Sequence, residues 1–124
     1  MGAGQAIGVW DAGVARSTHV ELAGRVAQKD TTSEGQNHAT HVAGTIAASG
    51  DWDIVRGMAP ASLINAYNWN GDVEEMAAAA AEGLTISNHS YGTPLGWTAN
   101  IQGDGLWGWM GDPSISPSED FRFG

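Results

Sequence analysis

The sequence predicts an α/β fold: a mostly parallel sheet flanked by helices, incomplete as it stands. Two observations predict it. Three short and largely apolar runs, at residues 6–10, 62–67 and 84–87, have the pattern of strands buried on both faces. Between them lie two stretches of helical periodicity, at about residues 38–48 and 72–81. Strand, helix, strand, helix, strand at this spacing makes a pair of βαβ units.

The first run, Ala6-Ile7-Gly8-Val9-Trp10, stops at Asp11-Ala12-Gly13. In open α/β sheets the carboxyl ends of the strands are where ligands bind, which places Asp11 at such an end. Residues 14–22 are mixed and read as loop. Residues 24–28 are a weak candidate for a short second strand. After the polar stretch Thr31-Thr32-Ser33-Glu34-Gly35-Gln36, the segment 38–48 puts Ala39, Val42, Ala43, Ile46 and Ala47 on one stripe. Its small residues let a helix lie close to a sheet. Ser49-Gly50-Asp51 ends it, and Gly57-Met58-Ala59-Pro60 is a second stop. Beyond the strand at 62–67, Asp72 with Glu75 three residues on predicts a capping box. Ala77 to Ala81 make a strong helix body, and Gly83 is a natural residue just past its end. The third strand, 84–87, leads into Asn88-His89-Ser90-Tyr91-Gly92.

Residues 93–124 differ in character. They hold Trp97, Trp107, Trp109, Phe121 and Phe123 among Gly, Pro and Ser, with no clear period. A structureless segment of about 30 residues is unusual in a compact domain. They read as an irregular, truncated continuation of the domain formed by residues 1–92, whose packing partners lie in other sequence. Such aromatics are more often half of a core than a stacking surface for sugar or peptide.

At 124 residues the chain can bury one modest core. Its net charge of −9 argues against nucleic acid, which needs a basic face, and against an anionic membrane surface. The absence of Cys excludes thiol catalysis, disulfide scaffolds and Cys-ligated zinc together. No apolar run approaches the roughly 20 residues of a membrane helix. Residues 1–5 show no signal peptide.

Two groups carry potential chemistry. Asp11 at a strand end can accept from an imidazole N–H and stabilise the cation formed in general base catalysis; it is equally a turn residue in Asp-Ala-Gly. His38 and His41 share a helix face. They read as a base with a supporting group, as part of a metal site with the stray His19 and His89, or as the satisfied start of a packed helix.

Taken together these stretches resemble the subtilisin-like serine peptidases, the subtilase (peptidase S8) family. Val9-Trp10-Asp11-Ala12-Gly13 is similar to the family's aspartate motif. His38-Ala39-Thr40-His41-Val42-Ala43-Gly44-Thr45 is similar to its His-Gly-Thr-His-Val-Ala-Gly-Thr. Gly57-Met58-Ala59-Pro60 matches the Gly-x-Ala-Pro that follows. Ile86-Ser87-Asn88-His89-Ser90-Tyr91-Gly92 is similar to the strand ending in Ser-x-Gly that lines the substrate cleft. The four come in the family's order over residues 6–92. The resemblance implies hydrolysis of peptide bonds by an Asp-His-Ser triad, with Asp11 as orienting carboxylate, His38 as general base and His41 in support. Ser90, Tyr91 and Gly92 would bind substrate. Two departures stand out: Ala39 replaces a Gly, and neither the oxyanion Asn nor the Gly-Thr-Ser-Met-Ala motif of the nucleophile is present. Ser114, Ser116 and Ser118 lack its strand-to-helix context. The expectation is the N-terminal part of a catalytic domain, inactive alone, with its nucleophile beyond these residues. A short non-catalytic peptide-binding protein derived from a subtilase is the alternative. The partners implied are a peptide or protein substrate and the remainder of the same domain. The location implied is outside the cytoplasm, secreted or in the cell envelope. No cofactor is required. Glu21, Asp51 and Asp53 lie where loop calcium ligands sit in such proteins, but calcium wants six to eight oxygens and no metal is assigned.

Overall fold

The structure is a computed structural model that describes residues 1–30, 35–92, 96–100 and 103–109. The stretch 31–34, Phe121, Phe123, Ser114, Ser116 and Ser118 lie outside the described residues. The chain divides into two compact units, Met1–Tyr91 and Gly92–Gly124.

The first unit is built on a four-stranded parallel sheet. Its strands are β1 (Ala6–Asp11), β2 (Val26–Gln28), β3 (Leu63–Asn68) and β4 (Ser87–His89), in the spatial order β2-β3-β1-β4. Two helices join them, α1 (Asn37–Ala47) and α2 (Asp72–Ala81). β1 lies inside the sheet and is buried on both sides, which is why its sequence runs apolar without alternation.

Alternation within the strands decides what each helix meets. Side chains on successive strand residues point to opposite faces. Ile7 and Val9 of β1 and Ile64 and Ala66 of β3 pack with Ala43 and Ala47 of α1. Trp10 and Tyr67 face the other way and pack with Ala79 and Met76 of α2. Asp11, two residues beyond Val9, therefore belongs to the α1 face.

α1 carries the predicted stripe. Ala39, Ala43 and Ala47 are fully buried, with Val42 and Ile46 packed at the margin of the same core. Its last carbonyls have no partners within the helix, and the loop that follows supplies them. Met58 N–H donates to the Thr45 carbonyl, Ala59 N–H to Ile46 and Gly57 N–H to Ala48. The Gly-Met-Ala-Pro segment is thus the C-terminal closure of α1.

Four sequence expectations need correction. Residues 14–22 are not merely loop: Val14, Ala15 and Leu22 are core residues, and Val20–Leu22 forms a 3-10 turn. α2 has no capping box, because Gly71, in the left-handed conformation, takes the N-cap place, and Asp72 and Glu75 face other partners. The strand expected at 84–87 begins at Ser87, not Leu84. Leu84 is spent closing α2 in a Schellman motif, with Leu84 N–H on the Ala79 carbonyl and Gly83 N–H on Ala80. Gly83 sits at φ +99°, where a side chain would be strained.

Residues 93–124 are not irregular throughout, which is the fourth correction. In the second unit β5 (Trp97–Ala99) and β6 (Trp107–Trp109) form an antiparallel pair. Asn100 turns the chain at φ 57° and its side-chain oxygen accepts from Gly105 N–H. Strands of three residues are too short for a period of two to be legible.

Candidate active site

β1 ends at Asp11, whose side chain is 1% exposed. Its carbonyl accepts from Trp69 N–H at 2.8 Å, which ties the strand end to the turn after β3. Its Oδ1 accepts from Ala12 N–H at 2.7 Å. Both carboxylate oxygens lie 2.8 Å from Nδ1 of His38. An ionised carboxylate has no proton to give, so Nδ1 carries the hydrogen and donates it. Nε2 is then the ring's acceptor, on a side chain that remains 60% exposed.

The meeting follows from the fold. Ala39, Ala43 and Ala47 press α1 onto the face that carries Val9 and Asp11. α1 starts at the carboxyl end of the sheet, so His38, one residue before Ala39, falls beside the end of β1. Arg16 N–H donates to Thr40 Oγ1, and Thr40 Oγ1 donates to the Gln36 carbonyl. These bonds hold the first turn of α1 to the loop that leaves β1. Among the described residues Gln36 makes no side-chain cap.

The other predicted residues fall as follows. His41 is exposed and lines, with Thr40, Thr45, Ile54, Val55 and Met58, a groove of about 640 Å³ along the outer side of α1. It does not bond to Asp11. Ser90 is exposed just past β4, and Asn88 Nδ2 donates to its hydroxyl at 2.9 Å. Tyr91 is half-buried and packs against Trp10, Tyr67 and Ala79. Gly92 is exposed and opens the second unit.

His19 and His89 go elsewhere. His19 Nδ1 accepts from Glu21 N–H at the start of the 3-10 turn. His89 stacks on Trp10, on the opposite side of the sheet from His38. Among the described residues no three His, Cys, Asp or Glu side chains converge as metal ligands do. Glu21 is 7% exposed and accepts from Ser49 Oγ and from the backbone N–H groups of Gly50, Asp51 and Trp52. The Ser49 hydroxyl, with those N–H groups, holds its carboxyl below the usual carboxylate range, against the effect of burial.

The sequence pattern did not point to Trp69, and it gave Asp72 and Glu75 only as a helix cap. Glu75 Oε2 accepts from the Trp10 indole N–H at 3.0 Å. A signal for that bond was present: a Trp inside a buried strand needs an acceptor for its N–H.

A profile of the Subtilase family matches residues 2–114. Subtilisin Savinase of Lederbergia lenta is 35% identical over 107 residues, which is 75% of this chain and 39% of that protein. Subtilisin DY of Bacillus licheniformis is 37% identical over 112 residues, 79% of this chain and 40% of its own length. An alkaline protease of Shouchella clausii is 35% identical over 107 residues, 28% of its length. No solved structure gives a significant match. The chain thus spans two fifths or less of the relatives it resembles.

Proposed function

The chain belongs to the subtilase family, and from that premise we propose that it supplies the carboxylate and the base of a serine endopeptidase. Asp11 is the orienting carboxylate and His38 the general base. The nucleophilic Ser and the oxyanion donors come from sequence outside these 124 residues. The substrate is an extended peptide, which lies along Ser90, Tyr91 and Gly92 and adds as a strand beyond β4. The relatives are named as subtilisins and proteases, which supports the class of reaction. Action outside the cytoplasm belongs to the same reading.

One observation carries it. A buried carboxylate has both oxygens 2.8 Å from one ring nitrogen of an imidazole that is otherwise open. In the reaction Nε2 takes the serine proton as Oγ attacks the carbonyl carbon. The resulting imidazolium is stabilised by Asp11, and its proton then passes to the leaving amine. Without the nucleophile and a donor pair for the oxyanion, the covalent step and a large electrostatic contribution are both missing.

The test has two arms. The 124 residues alone should hydrolyse no peptide and take no label from a fluorophosphonate probe. In the gene product that contains this chain and hydrolyses peptides, H38A and D11N should each nearly abolish kcat. Subtilisin is itself the system in which these losses are best known, at about 10⁶-fold for the base and about 10⁴-fold for the carboxylate. Stoichiometric labelling of the short chain, or an active H38A enzyme, overturns the proposal.

A further inference from the structure

The first turn of α2 carries two carboxylates that reach across to the sheet, Asp72 while its other oxygen accepts from Val73 N–H. Asp72 Oδ2 accepts from the Tyr91 hydroxyl at 2.6 Å, and Glu75 Oε2 accepts from the Trp10 indole at 3.0 Å. Three residues apart, they share a helix face and reach different parts of the sheet. Trp10 is in β1, directly before Asp11. Tyr91 lies in the segment that leaves β4.

His89 links the two ends. The single Tyr91 proton is given to Asp72, so His89 Nδ1, 2.9 Å from the phenol oxygen, donates to it. The His89 ring stacks on Trp10 with centroids 5.2 Å apart, and Trp10 stacks on Tyr67 at 4.1 Å and 3°. Asp72, Tyr91, His89, Trp10 and Glu75 therefore form a closed circuit that begins and ends on α2. Trp69 meets the Tyr91 ring edge-on at 5.4 Å, and the Trp69 N–H holds the Asp11 carbonyl. Burial, with the Asp72 carboxylate next in effect, pushes the Tyr91 phenol well above its ordinary range.

We propose that Asp72 is a positioning residue: by holding the Tyr91 hydroxyl it fixes the peptide-binding segment at Ser90 and Tyr91 in register with the Asp11–His38 pair. The inference rests on the reading of that segment as peptide-binding. The bond is charge-assisted and short, the kind that fixes geometry, and it crosses from the start of a helix to the segment that leaves β4. The same helix turn grips Trp10 through Glu75, so the strand that carries Asp11 and the exit of β4 share one clamp.

The experiment compares D72A with D72N in the full 124-residue chain by backbone relaxation. Asn keeps an oxygen that accepts from Tyr91 but removes the charge. In the parent chain the Ser90 and Tyr91 amides should have order parameters near 0.85, the value of about that size for rigid backbone; in D72A they should fall below about 0.6. D72N should recover most of the loss, and the imidazole resonances of His38 should not move in either variant. If D72N loses as much order as D72A although it keeps the acceptor oxygen, Asp72 acts through its charge and the clamp is refuted. Ser90 and Tyr91 order parameters that stay near 0.85 in D72A, with the His38 signal in place, refute it too. The peptide-hydrolysing gene product supplies the second readout: D72A should raise KM about tenfold with kcat changed less than twofold. An ordered-to-mobile change with no rise in KM would leave the clamp intact and sink the peptide-binding reading instead.

Discussion

At the scale of residues, the chain shows how one environment fixes a proton and another fixes a charge. Among the described residues the buried Asp11 carboxylate meets the Ala12 N–H and the His38 ring nitrogen, so His38 is held with its hydrogen on Nδ1. D11N offers one oxygen where there were two and adds a competing donor; it should mix the ring tautomers of His38, as read by long-range ¹H–¹⁵N correlation. Two other carboxylates respond to pH with opposite sign. The folded state holds the Glu21 carboxyl low, chiefly through the Ser49 hydroxyl. Glu21 therefore stabilises the fold above the unfolded carboxylate value near 4.3, and that contribution is lost as pH falls through the lower folded value. E21Q should lower the thermal midpoint at pH 6 and have little effect at pH 2. Glu75 is raised, first by burial and then by the neighbouring Asp30 carboxyl, against the Trp10 indole. Its contribution is present below about 4.3 and is lost as pH rises through the higher folded value. E75Q keeps an acceptor for Trp10 and should raise the midpoint at pH 7. These environments were not legible in the sequence, because they depend on which loop folds over which carboxylate.

At the scale of elements, the glycines in β1 and α1 have opposite meanings. A Cβ on Gly8 would lie 2.3 Å from the Trp10 ring and 2.7 Å from Leu84. G8A should cost about 1–3 kcal/mol by overpacking, seen as a lowered melting midpoint and loss of the near-ultraviolet signal of Trp10. A Cβ on Gly44 meets nothing within 4 Å. It lies inside α1, where Ala is favoured over Gly by about 1 kcal/mol, so G44A should raise the midpoint. The strands and helices were largely readable. The runs at 6–10 and 62–67 and the stripe from Ala39 to Ala47 correspond to β1, β3 and α1 within a residue or two. Misreadings arose where a residue had two uses. Asp72 and Glu75 spell a capping box, yet Tyr91 and Trp10 claim their oxygens. Leu84 spells the start of a strand, yet it closes α2. Local pattern cannot see a partner 65 residues away, the separation of Trp10 and Glu75. The pairing of Asp11 with His38 was legible only through the family resemblance, since spacing alone left each with ordinary alternatives.

At the scale of the whole molecule, a subtilase chain that spans two fifths or less of its relatives' length leaves surface open. Trp52, Ile54 and Met58 are each more than 70% exposed, and Ile54 and Met58 line the groove beside α1. Among the described residues β4 pairs on one side only, which leaves an edge that invites addition of another strand. Apolar surface of this kind on a lone chain promotes association. The 124 residues should melt broadly, with calorimetric and van't Hoff enthalpies that disagree; a sharp two-state transition would count against the fragment view. The proposed preparation of His38 as a base by Asp11 does not depend on residues outside these 124. It is tested most directly by the ¹⁵N resonances of the His38 ring in the short chain at a pH where the imidazole is neutral. The expected result is a single tautomer, with the proton on Nδ1, a low-field signal for that proton and Nε2 unprotonated. A proton on Nε2, or a rapid average of the two forms as in a free imidazole, would contradict it.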